Sequence, residues 1–208
     1  MSRRVLAALA IALSGSAIVA AQRGAATKPP AAPPAPGAVA KCAADLGVGV
    51  KSHRQFCDVI VSRDPADSIA ITIPPHRGPA TLRFDLHNRF TIPIPDVPPA
   101  QAFARHLAVV AIIRPTGSVI DRAAVAGEFR RVSDVYDQIA GGGPGGLKII
   151  APGRAETVVI AIPAGLASLG IVGVRLDVTT INGRTVFETD GRPVAIVSNL
   201  RIEYTPLK

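Results

Sequence analysis

The stretch Thr81-Leu82-Arg83-Phe84-Asp85-Leu86-His87 decides the fold class, because its side chains alternate between apolar and polar. Successive side chains of a β-strand point to opposite faces, so Leu82, Phe84 and Leu86 share one face while the polar residues share the other. Such a strand buries one face in a core and exposes the other to water. The stretch therefore predicts a half-buried β-strand.

The same period of two recurs along the chain between turn residues. Alternating segments occur at 69–73, 172–178 and 196–204, and short runs rich in valine and isoleucine occur at 57–62, 106–113 and 156–162. Proline or glycine bounds most of them, which indicates about nine or ten strands and almost no helix. The two helical candidates are short, at 100–105 and at 133–139, where Ser133 is expected to cap the first turn.

A fold class follows from this pattern. Without long helices to connect parallel strands, the sheets are expected to be mainly antiparallel, and a one-sided apolar pattern requires a second sheet to cover it. The sequence therefore predicts an all-β protein, a two-sheet antiparallel β-sandwich of the immunoglobulin-like or jelly-roll kind. The proline-rich run Thr91–Pro99 is expected to cross from one sheet to the other.

One predicted strand departs from the alternation. Leu107–Ile113 is apolar at every position, so it is either a central strand whose outer face is also covered or part of an interface. The polar residues Arg105, His106 and Arg114 at its ends favour the central strand.

The first residues carry the pattern of an export signal. Arg3 and Arg4 precede the apolar stretch Val5–Leu13, and Val19 and Ala21 occupy the small-residue positions ahead of a cleavage site. We therefore expect a signal peptide over residues 1–21. The paired arginines also resemble the start of a twin-arginine signal, so the ordinary and the twin-arginine routes both stay open, with the ordinary route favoured.

A linker and a single domain are expected after the signal. Residues 22–41 are rich in alanine and proline and lack apolar periodicity, which predicts a disordered tether. Residues 42–208 then form one β-sandwich domain. Cys42 and Cys57 are expected to form a disulfide in an exported chain, so the predicted location is periplasmic or secreted. Contact with a membrane is expected only through an uncleaved signal.

The charge of the chain at first points to an anionic partner. The formal net charge is +8, from 23 basic and 15 acidic residues. Five basic residues precede Cys42 but no acidic residue does, so the predicted domain carries only +3. Its basic residues are scattered and form no stripe with interleaved aromatic residues, so nucleic acid is not expected as a partner.

One hairpin can be aligned from the sequence. Asn182-Gly183 suits the centre of a two-residue type I′ turn, which requires positive φ at both residues. In that register Val178 is opposite Phe187, and Asp177 is opposite Glu188. Cross-strand neighbours have Cβ atoms about 5 Å apart, so these two carboxylates would repel each other unless a cation, a proton or an arginine relieved the repulsion.

The Asp177/Glu188 pair is the one arrangement that suggests chemistry. Calcium sites collect carboxylates, and retaining glycosidases hold two of them at this separation. The favoured interpretation is nevertheless a solvated outer face on which Arg175 and Arg184 offset the charge, because an exposed strand face rarely forms a cleft.

Other candidate sites are weaker, so no catalytic residue, metal or cofactor is expected. The chain has no Gly-x-Ser-x-Gly motif after the signal, and the run Gly141–Gly146 lacks the following Lys-Ser or Lys-Thr of a phosphate loop, which leaves a flexible loop. The histidines are scattered without the spacing of metal ligands. They are His53, His76, His87 and His106.

Three functional classes remain. Sugar-binding modules use aromatic rings as stacking platforms, but this chain has no tryptophan and two tyrosines, Tyr136 and Tyr204. A glycan hydrolase would depend on Asp177 and Glu188 alone. We therefore expect an exported non-catalytic module for protein interaction or cell-envelope scaffolding, whose partner is another envelope or extracellular protein. A carbohydrate-binding module is the alternative.

Overall fold

The structure is a computed structural model of the chain, and it describes residues 39–92, 103–140 and 149–207. These residues form strands and two single-turn 3₁₀ helices, Pro65–Asp67 and Val132–Asp134, and none of their helices is long and apolar enough to cross a bilayer. The strands are β1 (Val39–Lys41), β2 (Ala44–Val48), β3 (Gln55–Ile60), β4 (Ile69–Thr72), β5 (His76–Ile92), β6 (Ala104–Ile113), β7 (Val119–Phe129), β8 (Ile139–Ala140), β9 (Ile149–Ile162), β10 (Ser168–Thr180), β11 (Gly183–Phe187) and β12 (Pro193–Pro206).

The strands form two antiparallel sheets that pack face to face. In order of pairing, sheet A consists of β1, β4, β10, β6 and β7, and β11 pairs with β10 as well. Sheet B consists of β2, β3, β12, β5, β9 and β8. The predicted antiparallel β-sandwich is therefore confirmed.

The main core lies between the two sheets. Leu82, Phe84 and Leu86 of β5 are 0–1% exposed, and they belong to the same buried cluster as Ile112 of β6 and Ile171 of β10. The apolar face of β5 therefore points into the sandwich, as does that of β4. Burying each of these large side chains stabilises the fold by about 1.5–3 kcal/mol.

Register shifts divide the other two alternating segments. Val172 and Val174 lie outside the main core, unlike Leu176 and Val178. Ile196 also lies outside it, unlike Leu200, Ile202 and Tyr204.

The apolar run Leu107–Ile113 lies within β6, between β10 and β7. Ile112 enters the main core, whereas Ala111 and Ile113 belong to a separate apolar cluster and are only 3% and 4% exposed. Both faces of this strand are thus covered at that end. The run is therefore an internal strand, as predicted, with its outer face covered at Ala111 and Ile113 but only partly at Leu107 and Val109.

The predicted signal, most of the predicted linker and the glycine run lie outside the described part of the chain. They fall within residues 1–38 and 141–148, and residues 93–102 lie outside it as well. The predicted end of the linker is wrong, because Val39–Lys41 pairs with β4 as strand β1. Backbone pairing needs no apolar pattern, so composition did not reveal it.

The predicted change of sheet after Thr91 does occur, since β5 belongs to sheet B and β6 to sheet A.

The two helical predictions are wrong where they can be examined. Ala104 and Arg105 begin β6 and pair with β7 and β10. Beyond the short 3₁₀ turn no helix follows and Ile139 begins β8, while the N–H of Tyr136 donates to the carbonyl of Pro152 at 2.8 Å. The carboxylate of Asp134, rather than Ser133, receives backbone N–H groups at this turn. Tertiary pairing has overridden a weak local preference.

Cys42 and Cys57 form the predicted disulfide, with their Cα atoms 5.5 Å apart. Cys42 follows β1 of sheet A, and Cys57 lies in β3 of sheet B at 8% exposure. The bond therefore secures the chain where it passes from one sheet to the other.

Replacing both cysteines with serine is expected to lower the free energy of unfolding by about 3 kcal/mol, because the bond closes a loop between positions 15 apart and restricts the unfolded chain. Urea unfolding followed by circular dichroism measures the difference. A reducing agent should produce the same loss in the native chain and no further loss in the double variant. An unchanged midpoint after reduction would contradict this role.

Candidate functional site

The hairpin of β10 and β11 differs by two residues from the register predicted for it. Thr180 pairs with Gly183, so Ile181 and Asn182 form the turn, and Phe187 pairs with Leu176 instead of Val178. Gly183 has the only positive φ in this turn, 124°, whereas a type I′ turn centred on Asn182-Gly183 needs two. The prediction of that turn is wrong.

This register separates the predicted carboxylate pair. Asp177 is opposite Val186, and Glu188 lies beyond the end of β11. Arg184 and Arg175 do contact the Asp177 carboxylate, at 3.1 and 3.7 Å, but that carboxylate is only 5% exposed and not solvated as expected. Glu188 itself is exposed. Among the described residues no three metal-ligating side chains lie together.

Sheet B carries a second apolar layer on its outer face, the face turned away from the main core. Phe56 of β3 and Ile196 of β12 pack there against Ile139, and all three are 0–2% exposed. Tyr136 is packed against the same cluster. The segment 132–140, which we call the strap, therefore closes this face of the sandwich with the chain's own residues.

A hydrogen-bonded His–Ser pair lies under the strap, and sequence reasoning did not find it. Nδ1 of His87 donates to the carbonyl of Gly153 at 2.8 Å, so Nε2 accepts from the hydroxyl of Ser198 at 2.9 Å. The rings of Phe56 and Tyr136 pack against the imidazole with centroids 5.6 and 5.5 Å away. No motif links His87 and Ser198, because three separate strands bring these groups together.

The His87–Ser198 pair has the connectivity of a base and a nucleophile, but its surroundings favour a structural role. His87 is fully buried and Ser198 is 3% exposed. Burial lowers the pKa of His87, which keeps the imidazole neutral, and the hydrogen bond to Gly153 opposes this shift. The two hydrogen bonds tie β12 and β9 to β5 and satisfy polar groups that would otherwise be costly to bury.

Two buried carboxylates on the same face are paired with arginine. Asp85 accepts from Arg54 at 3.0 Å, and Asp58 accepts from Nε of Arg89 at 2.9 and 3.0 Å. Burial raises the pKa of Asp58 from 3.8 to about 6, because the pair with Arg89 offsets the loss of solvation only in part. The stability contributed by this site is therefore greatest below pH 3.8 and decreases as the pH rises to about 6.

Asp137 anchors the strap to the turn between β2 and β3. Its carboxylate accepts the hydroxyl of Ser52 and the backbone N–H groups of Lys51, at 2.9 Å, and Ser52, at 2.8 Å. Burial alone would raise the pKa of Asp137, but these bonds and one from the N–H of Gln138 outweigh it and lower the pKa to about 2. The site is a carboxylate clamp that keeps the outer layer of sheet B closed.

The strap does not cover sheet A, whose outer face carries an open groove. The floor of this groove, which we call the trough, is apolar, and its rim is charged. It has a volume of about 780 Å³. The floor residues are Ala111, Ile113, Val172 and Val174, and the charged rim residues are Arg63, Arg122, Glu188 and Asp190. Glu188 thus reaches a surface site, but as part of the trough and without Asp177.

One wall of the trough depends on Gly173. Val61 forms a bridge with Gly173 of β10, and the segments 61–63 and 188–192 are joined because the N–H of Gly191 donates to the carbonyl of Val61 at 2.8 Å. An added Cβ on Gly173 would lie 2.9 Å from the carbonyl group of Ile60. Glycine at this position therefore lets the chain at Ile60 and Val61 approach β10 closely.

The comparisons with known proteins assign no family to the chain: it matches no protein-family model, no curated protein and no solved structure. Its functional site must therefore be argued from its own residues. Two features of the outer faces stand out in the described part of the chain, a closed layer on sheet B and an open trough on sheet A.

The Asp137 clamp generates a prediction about acid stability. Asp137→Asn should lower the free energy of unfolding at pH 7 by about 2 kcal/mol, the free-energy equivalent of the lowered pKa. Because this pKa lies below that of the unfolded chain, the stabilisation is present above pH 3.8 and is lost as the pH falls toward 2.

Urea unfolding at pH 7 and at pH 3 measures this dependence. The native chain should lose more stability than Asp137→Asn over this interval. Asp190→Asn is the matched control, because Asp190 is exposed and makes no ion pair within the described residues. Equal stability of Asp137→Asn and the native chain at pH 7 would show that the clamp contributes nothing.

Proposed function

We propose that the protein is an exported, non-catalytic β-sandwich module that binds another envelope or extracellular protein through the trough on sheet A. The trough itself is the observation that supports this proposal. Protein interfaces combine an apolar centre with a polar rim, and here a second apolar cluster, separate from the main core, lies on the outside of a sheet within a ring of charged residues.

The chemistry of the trough defines the partner that fits it. Its aliphatic floor is nearly buried, with Ala111, Ile113 and Val172 only 3–4% exposed, so Val119, at 44%, offers the apolar contact, whereas its rim contains two arginines and two carboxylates. A partner that presents apolar side chains flanked by charges of both signs would match this arrangement. Sugar rings, which stack on aromatic side chains, would find none among the residues that line the trough.

Export is supported by the Cys42–Cys57 disulfide, since disulfides persist mainly in oxidising compartments. The signal peptide predicted over residues 1–21 would provide the route of export. A periplasmic or secreted module with a proline-rich tether would hold its trough away from the attachment point and available to a partner.

A non-catalytic role is consistent with the environment of the reactive groups. Ser198 and His87 are buried beneath the strap, and the Asp177 carboxylate is occupied by two arginines. The carbohydrate-binding alternative has weaker support. Tyr136 packs on His87 and Tyr204 packs against the main core, so both rings are only partly exposed.

Substitution of Val119 tests the trough directly. Val119 lines it at 44% exposure, so Val119→Glu should place a charge among apolar contacts and weaken partner binding about tenfold or more without unfolding the domain. Val159→Glu is the matched control, because Val159 is an exposed strand valine on sheet B, at 50% exposure.

The experiment begins with capture of a partner from the periplasmic or culture fraction and its identification by mass spectrometry. Calorimetry with the purified partner then gives a Kd for the native chain and for both variants, and a glycan panel is run in parallel. Equal affinities of the two variants would reject the trough as the site. Saturable binding to a glycan without a protein partner would favour the carbohydrate-binding alternative.

A further inference from the structure

Strand β7 is a long edge strand. It runs over 11 residues and pairs with β6 on one side, and no described strand pairs with its other side. The edge strands β1, β2, β8 and β11 are much shorter, with 3, 5, 2 and 5 residues. Strand β9 is also open on one side beyond its two pairs with β8, but that side carries Pro152, Arg154 and Glu156. Natural sheets usually keep their edges short because an open row of backbone N–H and C=O groups recruits another strand.

The centre of β7 lacks the features that normally protect an edge. Residues 123–127 read Ala-Ala-Val-Ala-Gly, without a charge or a proline. Ala124 and Ala126 are exposed on the outer face, whereas Val125 is buried in the main core. A second backbone could therefore approach this stretch without meeting a large or charged side chain.

The charges beside this small-residue centre are of opposite sign. Arg122 lies three residues before Val125 and Glu128 three residues after it. Arg122 forms no ion pair within the described residues, and Glu128 makes only a contact of 3.6 Å with Arg130, in which both side chains are exposed. Such exposed pairs contribute little, so both charges are available to a partner.

We propose that a second copy of this chain pairs antiparallel with β7 about a two-fold axis at Val125, which extends sheet A across the two protomers. In this register Arg122 of each protomer is opposite Glu128 of the other, and Ala124 is opposite Ala126. Two cross-strand ion pairs thus form by symmetry.

Neighbouring registers are less favourable. A shift of two residues in one direction places Arg122 opposite Arg130, and a shift in the other direction places it opposite Ala126. A shift of one residue would bring the outer face of one protomer beside the core face of the other. The charges therefore select the register centred on Val125.

This pairing can be tested apart from partner binding at the trough, although β7 contributes Val119 and Arg122 to the trough. Glu128 does not line the trough. The response to a Glu128 substitution therefore tests the homodimer, whereas Val119→Glu tests the proposed function.

Sedimentation velocity of the exported, processed chain over a concentration series tests the proposal. The native chain should dimerise, and Arg122→Glu and Glu128→Arg should each weaken the dimer about tenfold or more, because each reversal creates two like-charge pairs. The double reversal Arg122→Glu/Glu128→Arg should restore the native Kd. Arg201→Glu, a charge reversal at an exposed position of β12, should leave it unchanged.

Ala124→Lys provides an independent variant, since a lysine at the centre of an edge strand opposes pairing and should give a monomer. Circular dichroism and thermal melting confirm that each variant is folded. A native chain that stays monomeric up to its solubility limit would overturn the proposal. So would folded single variants whose weakened dimer is not restored by the double reversal.

Discussion

The inward-facing apolar side chains of the two sheets form one continuous cluster, and the other features of the molecule are positioned by it. Each alternating strand can bury only one face in this cluster, so its remaining side chains must point outward. The polar groups of Asp85 and His87 reach the outer face of sheet B because Leu82, Phe84 and Leu86 occupy the inner one. Burial of the sheet faces therefore decides where every candidate functional group lies.

The two sheets differ in how the apolar side chains on their outer faces are covered. On sheet B the strap returns over the sheet, adds Tyr136 and Ile139 to a small second core, and is held by the Asp137 carboxylate. On sheet A the segments 61–63 and 188–190 flank the apolar positions of β6 and β10 and leave a groove whose floor is nearly buried. The same aliphatic composition thus yields a layer closed by the strap on one side and a groove over a nearly buried floor on the other.

The buried carboxylates show that the direction of a pKa shift depends on the hydrogen-bond and ion-pair partners of the carboxylate, which its position in the sequence does not reveal. Asp137 accepts several hydrogen bonds and its pKa falls to about 2, whereas Asp58 has one arginine and burial still raises its pKa to about 6. Their contributions to stability consequently change with pH in opposite directions. Asp177 resembles an exposed residue of an alternating strand, yet two arginines and a neighbouring strand enclose it.

Much of the architecture was determined by the sequence itself, since a period of two specifies which face of a strand is apolar. The β-sandwich, the internal position of Leu107–Ile113 and the Cys42–Cys57 disulfide were all predictable for that reason or from the number of cysteines. The sequence pattern did not predict strand β7, because its alanine-rich centre has a weak preference for strands. The candidate site was predicted only in part. Glu188 was predicted as a site residue, but together with Asp177 rather than with the residues of the trough.

Only the tertiary structure decided which residues meet. The Asn182-Gly183 pair signals a turn but not its register, which is set by pairing along the whole of β10 and β11 and moved Asp177 away from Glu188. The contact of His87 with Ser198 joins residues 111 positions apart, and the trough combines four separate segments. Local pattern specifies the face on which a side chain lies only where no bulge interrupts the strand. Its neighbour on that face depends on strand order and register, which arise from packing of the entire chain.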